Sequence, residues 1–161
     1  MVVVSVTIKD FGWYILEKIA ELEYKADITL PLYTKILISE TGTIEQILSI
    51  LTNSKTEVKI LKQKETPELI KRQICIINKN TGERLAYARS YIFPIYLPKK
   101  IMEKIKEKNE GIGNIIVNSK LETFRHILKI GYDSKTKSVF RIYQIIHKRQ
   151  VAFKIKEIFS I

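Results

Sequence analysis

Three segments of this sequence combine strand-like alternation with one ionised residue on an otherwise apolar face. The alternating sets are Ile70, Arg72, Ile74, Ile76, then Leu85, Tyr87, Arg89, Tyr91, Phe93, and finally Val151, Phe153, Ile155, Glu157, Phe159. Polar residues fill the intervening positions, with Lys71 and Gln73 beside the first set and Lys154, Lys156 and Ser160 beside the last. Side chains of a strand point alternately to its two faces, so this pattern predicts that Arg72, Arg89 and Glu157 turn toward the core. An unpaired charge there costs roughly several kcal/mol and must meet a counter-charge, a water or a ligand. Two inward arginines with one inward carboxylate fit a pocket for a small anionic molecule; a structural ion pair between Glu157 and Arg72 or Arg89 is the alternative use of the same residues.

Other chemistries lack their residues. There is no phosphate-binding loop and no Gly-x-Gly-x-x-Gly turn, so the sequence offers no nucleotide site. His126, His147 and Cys75 fall on separate predicted strands without metal-ligand spacing, and no metal is expected. Nothing brings a Ser, a His and an Asp together as a hydrolytic triad. Arg125 and His126 are neighbours on one strand and must face opposite ways, so one of them is expected at the surface.

The elements that would hold these residues follow from periodicity. Residues 11–25 space Ile15, Ile19 and Leu22 as one face of an amphipathic helix. Pro31 suits the start of a second helix carrying Leu32, Ile36 and Leu37, which ends at Ser39-Glu40-Thr41-Gly42. Thr43 followed by Gln46 predicts a capping box opening a third helix with Ile44, Ile47, Leu48 and Leu51 on one face. The last two helices resemble either a helix-turn-helix or a helical hairpin laid over a sheet; the hairpin is favoured, because the second helix has no basic residue to meet phosphates. Strands are predicted at 57–63, 69–78, 83–93, 115–118, 121–131, 138–147 and 150–160. Asn78-Lys79-Asn80-Thr81-Gly82 supplies turn chemistry for a hairpin, and a second tight turn is placed at Lys148 and Arg149. A lysine-rich helix over 98–108, with Ile101, Met102 and Ile105 to bury, reads as a cover or flap, and Gly111-Ile112-Gly113 as a loop. Short links and clean alternation point to an α+β domain built on an antiparallel sheet with one covered face.

Length and composition set the limits. One domain over 1–161 is expected, with residues 1–30 as an N-terminal extension containing the first helix. A single cysteine excludes an internal disulfide framework and fits a reducing compartment. Val2-Val3-Val4 lacks the flanks of a signal peptide, and no apolar run approaches the roughly 20 residues of a membrane span, so a cytoplasmic location without a membrane partner is expected. The net charge of +11 is uneven: residues 1–50 hold four Lys against seven Asp and Glu, and the remainder is strongly basic. Scattered lysines with few arginines beside exposed aromatics read as a solvated surface, and nucleic acid is not the expected partner. Tyr87, Tyr91 and Phe93 read as core.

The ordered string Ser39-Glu40-Thr41-Gly42-Thr43-Ile44, Arg72-Gln73-Ile74, Ala88-Arg89-Ser90 with Pro94, Gly111-Ile112-Gly113, Arg125 with Ile130-Gly131, and Glu157-Ile158-Phe159 resembles chorismate pyruvate-lyase over residues 31–159. That resemblance implies a six-stranded antiparallel sheet with helical flaps over a buried site. It also implies cofactor-independent cleavage of chorismate to 4-hydroxybenzoate and pyruvate. Arg72 matches the arginine that binds the ring carboxylate, and Glu157 the carboxylic residue near the future product hydroxyl. Thr43 and Ile112 stand where backbone N–H groups hold the ring carboxylate, and Arg89 matches a second arginine, placed near the enolpyruvyl carboxylate. The resemblance thus implies Glu157 and Arg72 as catalytic residues, with Glu157 expected desolvated and acting as a general acid. The same fold also serves as a small-molecule sensing domain without turnover, which is the alternative function.

Overall fold

The computed structural model describes residues 3–9 and 15–160. Alternating hydrophobicity resolves into seven strands: β1 (Val3–Thr7), β2 (Thr56–Glu65), β3 (Ile70–Asn78), β4 (Arg84–Ile92), β5 (Phe124–Asp133), β6 (Ser138–His147) and β7 (Gln150–Ser160). They form one antiparallel sheet in the order β1-β5-β6-β7-β4-β3-β2. Five helices lie along the described chain: α1 (Ile15–Ala26), α2 (Leu32–Ser39), α3 (Ile44–Thr52), α4 (Lys99–Glu107) and α5 (Ile112–Asn118). The start of the helix predicted over 11–25 falls outside the described residues. The architecture is α+β, as the alternation predicted.

The strand count differs from the expected six because residues 3–7 add an edge strand. Val4 and Val6 pair with Tyr132 and Ile130 of β5, and Val6 is buried. The expected strand at 115–118 is a helix. Ile115, Ile116 and Val117 are β-branched and favour strands in isolation, but Ile112, Ile115 and Ile116 stand at helical spacing and α5 buries all three. Packing of that stripe overrides local preference.

All five helices cover one face of the sheet. The core is a single cluster that includes Ile19 and Leu22 of α1, Leu37 and Ile38 of α2, Leu48 of α3, Ile105 of α4, Ile115 of α5 and the inward side chains of the strands. α2 and α3 therefore form the helical hairpin over a sheet, with contacts to β6, β2 and β3. Thr43 precedes α3 as its N-cap, but its side chain makes no capping hydrogen bond, so the capping box is not formed. The tight turn between β6 and β7 sits where expected, with Lys148 and Arg149 both at positive φ (48° and 63°), as a primed hairpin turn requires.

Strand β4 corrects the assignment of its faces. Ala86, Ala88, Ser90 and Ile92 are buried and face the helices, whereas Tyr87, Arg89 and Tyr91 are exposed on the other face. Both alternating sets of β4 are locally acceptable as an inner face, because one holds aromatics and the other small residues. The small set wins because the centre of the covered face is hollow.

Candidate active site

Register brings the site together from two neighbouring cross-strand rows on the covered face. One row runs Gln63, Arg72, Ser90, Ile155, Tyr143; the next runs Ile74, Ala88, Glu157, Arg141. Arg72 on β3 and Glu157 on β7 are thus separated by β4, whose Ala88 and Ser90 are too short to fill the gap. A cavity results, roofed by the segment before α3 and by the α4–α5 connection. Its lining includes Thr43, Glu45, Arg72, Ile112, Arg125 and Glu157.

Arg72 is 2% exposed and is held entirely by neutral acceptors. Its Nε donates to Gln63 Oε1 (2.7 Å), Nη1 to the Glu110 carbonyl (2.9 Å) and Nη2 to the Ile105 carbonyl (2.6 Å). No carboxylate pairs with it among the described residues. Burial lowers its pKa to about 10, and Glu65 offsets this in part, so the group stays cationic at neutral pH. Two of its five N–H groups, one on each terminal nitrogen, are left over. A buried cation with spare donors and no anion has the chemistry to receive a carboxylate.

Glu157 is 4% exposed and far from isolated. Arg141 Nε donates to its Oε2 and Tyr143 Oη to its Oε1, each at 2.7 Å. Arg141 in turn donates through Nη2 to Glu40 Oε1 (2.6 Å) and through Nη1 to the Glu40 carbonyl. Burial alone would lower the Arg141 value, but the charges of Glu157 and Glu40 outweigh it and raise it above the usual arginine range. Tyr143 is pushed up by burial and then by Glu157, so it remains a neutral phenol and a donor. Glu157 is desolvated, as expected, and its ion-pair partner is Arg141 in place of Arg72 or Arg89.

Arg125 of β5 is the second cation of the pocket. Its Nη1 donates to the Thr41 carbonyl (2.7 Å), its guanidinium lies 5.7 Å from the Tyr143 ring centre, and its buried Nε has no hydrogen-bond partner. Arg125 and His126 do occupy opposite faces of β5, and it is Arg125 that meets the site. Arg89, expected near the substrate, is not brought there; it points away from the cavity with the outer set of β4. Arg141 and Arg125 also explain the Ser39–Thr43 segment, because they clamp Glu40 and Thr41 and so present Thr43 to the cavity.

Thr43 and Ile112, expected at the site, both line it. Ile112 opens α5, where the first backbone N–H groups have no intrahelical acceptor. Gly113 allows this close approach: a Cβ there would lie 3.3 Å from Thr43 Cγ2. Glu45 is a further carboxyl at the cavity. Burial raises its pKa above the ordinary value, against a hydrogen bond from Asn114 and with added repulsion from Glu110. A Cβ at Gly111 would come within 2.5 Å of Glu45 Oε1, so any side chain there would push the Glu45 carboxyl aside.

Sequence reasoning missed Arg141, Tyr143 and Glu45. Val139, Arg141, Tyr143, Ile145 is an inward set with one charge, the same signal that marks Arg72 and Glu157. Glu45 carries no comparable signal, since a charge in the first turn of a helix is ordinary. Among the described residues no group of three or more His, Cys, Asp or Glu is placed to hold a metal ion.

Comparison with known proteins bears on the family of the chain. The family described as Rv2949c-like chorismate pyruvate-lyase matches residues 32–161. A protein of Mycobacterium tuberculosis named chorismate pyruvate-lyase is 25% identical over 155 residues, covering 78% of each chain. A Methanocaldococcus jannaschii protein named "Putative lyase MJ0807" is 31% identical over 156 residues, covering 85% of this chain and 84% of its own. The family match begins at α2, so β1 and α1 lie outside it. No helix among the described residues is long and apolar enough to cross a membrane.

Proposed function

Because the chain belongs to the Rv2949c-like chorismate pyruvate-lyase family, we propose that it eliminates pyruvate from chorismate and leaves 4-hydroxybenzoate. The observation that carries this reading is a buried pocket with two arginines lacking carboxylate partners and one fixed carboxylate acceptor. Chorismate presents two carboxylates and a ring proton to be removed, which matches that inventory group for group.

In this reading Arg72 takes the ring carboxylate through its two spare N–H groups, assisted by the backbone N–H groups of Thr43 and Ile112. Arg125 takes the enolpyruvyl carboxylate, in place of Arg89. Glu157 accepts the ring proton, since its hydrogen bonds from Arg141 and Tyr143 define it as an acceptor and aim it. The bond between the ring and the ether oxygen breaks with its electron pair leaving on oxygen. Enolpyruvate then takes up a proton at its methylene carbon to become pyruvate, and the ring becomes aromatic. The reaction is redox-neutral, and the proton lost by the ring is balanced by the one gained by the leaving group. Glu45, the other carboxyl of the pocket, is the candidate to deliver that second proton.

Substrate must displace protein to bind. The open volume between these groups is about 40 Å³, room for only a few waters. The Ile105 carbonyl that holds Arg72 belongs to α4 and the Glu110 carbonyl to the α4–α5 connection, so outward movement of these roofing elements is what makes room for substrate.

The test is to incubate the purified protein with chorismate, following 4-hydroxybenzoate by absorbance and pyruvate by a coupled assay. Equal formation of both, abolished in Arg72→Ala and Glu157→Gln proteins that still melt cooperatively, is the expected result. Absence of product from folded protein whose melting is raised by 4-hydroxybenzoate would replace turnover with ligand sensing.

A further inference from the structure

The helices leave the second face of the sheet bare, and strand register collects lysines there that are scattered along the sequence. One cross-strand row holds Lys64, Lys71, Tyr91 and Lys154; the adjacent row holds Lys62, Arg89, Lys156 and Lys129. Lys64 stands directly opposite Lys71, and Arg89 directly opposite Lys156. Directly opposed like charges destabilise a sheet, and none of these seven cations has a carboxylate partner among the described residues. Glu57 and Asp133, acids on this face, are already occupied by Lys59 and by the turn at Lys135 and Thr136. Two rings rise among the cations: Tyr87 is 37% exposed and Tyr91 45%, with Arg84 and Lys71 each 5.8 Å from a ring centre.

We propose that this outer face binds single-stranded nucleic acid, with the two lysine rows on phosphates and bases stacked on Tyr87 and Tyr91. Six strands from β2 to β5 span about 24 Å at the usual interstrand spacing, the scale of the shortest single-strand sites, about 4 nucleotides. Phosphates would relieve the opposed charges that the protein itself leaves uncompensated. Tyrosine rings with hydroxyl tips suit base stacking, whereas insertion into a bilayer calls for apolar side chains at those places. The surface is separate from the buried cavity, which opens on the opposite face, and the inference does not depend on what that cavity does.

The test is fluorescence anisotropy with labelled oligo-dT and oligo-rU of about 12 nucleotides over a salt series. Saturable binding is expected, with a slope of log affinity against log salt of about −0.7 for each phosphate contacted. A Lys71→Gln, Lys154→Gln, Lys156→Gln protein should bind at least about tenfold more weakly, and Tyr91→Ala should weaken binding with little change in that slope. A control with Lys99, Lys100 and Lys106 of α4 changed to Gln should stay within about twofold of the parent, and neither triple variant should melt below the parent. No saturable binding at low salt, equal loss in the two triple variants, or binding to phosphatidylserine vesicles without binding to either oligonucleotide would each overturn the proposal.

Discussion

Arg72 and Arg141 are buried guanidinium groups with opposite surroundings, and that contrast underlies the proposed division between a binding arginine and a scaffold arginine. Arg141 meets Glu40 and Glu157, so its charge is used up within the protein. Arg72 and Arg125 meet carbonyl and amide oxygens, which orient a cation without neutralising it. Removing one half of a desolvated charge pair costs about 2–5 kcal/mol. Arg125→Gln is therefore expected to raise KM for chorismate by about 30-fold or more, while Arg89→Gln leaves KM and kcat unchanged. Steady-state kinetics of the two variants check this, and a large effect confined to Arg89→Gln would reverse the assignment. Glu45 provides a test in pH. Its pKa is raised in the folded protein, so the native state binds the proton more tightly than the unfolded chain does. Stability is then greatest at pH values below the ordinary carboxyl value of 4.5, and the contribution falls away as pH rises through the raised folded value. Glu45→Gln should flatten that decline in denaturant titrations between about pH 4 and 7.

Among the elements, β4 and β5 show what glycine, alanine and serine accomplish in a sheet of large side chains. Ala88 and Ser90 create the cavity by leaving space between the Arg72 and Glu157 strands. Gly131 has a different task on the outer face. A Cβ there would lie 2.3 Å from Phe140 Cζ and 2.7 Å from the Val4 carbonyl, so the ring of Phe140 packs directly on the glycine backbone. Gly131→Ala is expected to lower stability by about 1–3 kcal/mol through overpacking, measured by denaturant unfolding, without loss of the ligand-induced thermal shift. An unchanged midpoint would mean that Phe140 swings aside at little cost. The Ile130-Gly131 pair thus belongs to sheet assembly, although it falls within the string of residues that resembles the lyase family.

For the molecule as a whole, the N-terminal segment is part of the core despite lying before the family match. Val6, Ile8, Ile19, Leu22 and Leu30 are all buried within the single core cluster. At about 1.5–3 kcal/mol for each such side chain, their joint contribution is comparable to the roughly 5–15 kcal/mol by which a domain is stable. Deletion of residues 1–30 should therefore abolish cooperative thermal unfolding. A truncated protein that melted near the parent temperature would show that α2 to β7 fold without β1 and α1. The segment also covers the β5 edge of the sheet, since β1 pairs along Lys129–Asp133.

The sequence by itself determined those features whose cause is local. Alternation placed Arg72 and Glu157 inward, turn chemistry located both hairpins, and apolar spacing marked α1 to α4, because these patterns are written within a few residues of one strand or helix. Tertiary structure decided wherever two local solutions were comparable or where partners come from distant strands. Both faces of β4 were suitable for a core, and the need for a hollow opposite the helices chose Ala88 and Ser90 over Tyr87 and Arg89. The β-branched run at 115–117 favoured a strand, and burial of a helical stripe made it α5. Arg141 is sixteen residues from Glu157 and 101 from Glu40; the register of β6 on β7 brings the first to it and the packing of α2 on β6 the second. Charge pairing, cavity formation and the lysine rows are properties of strands placed side by side, and no window along one strand contains them.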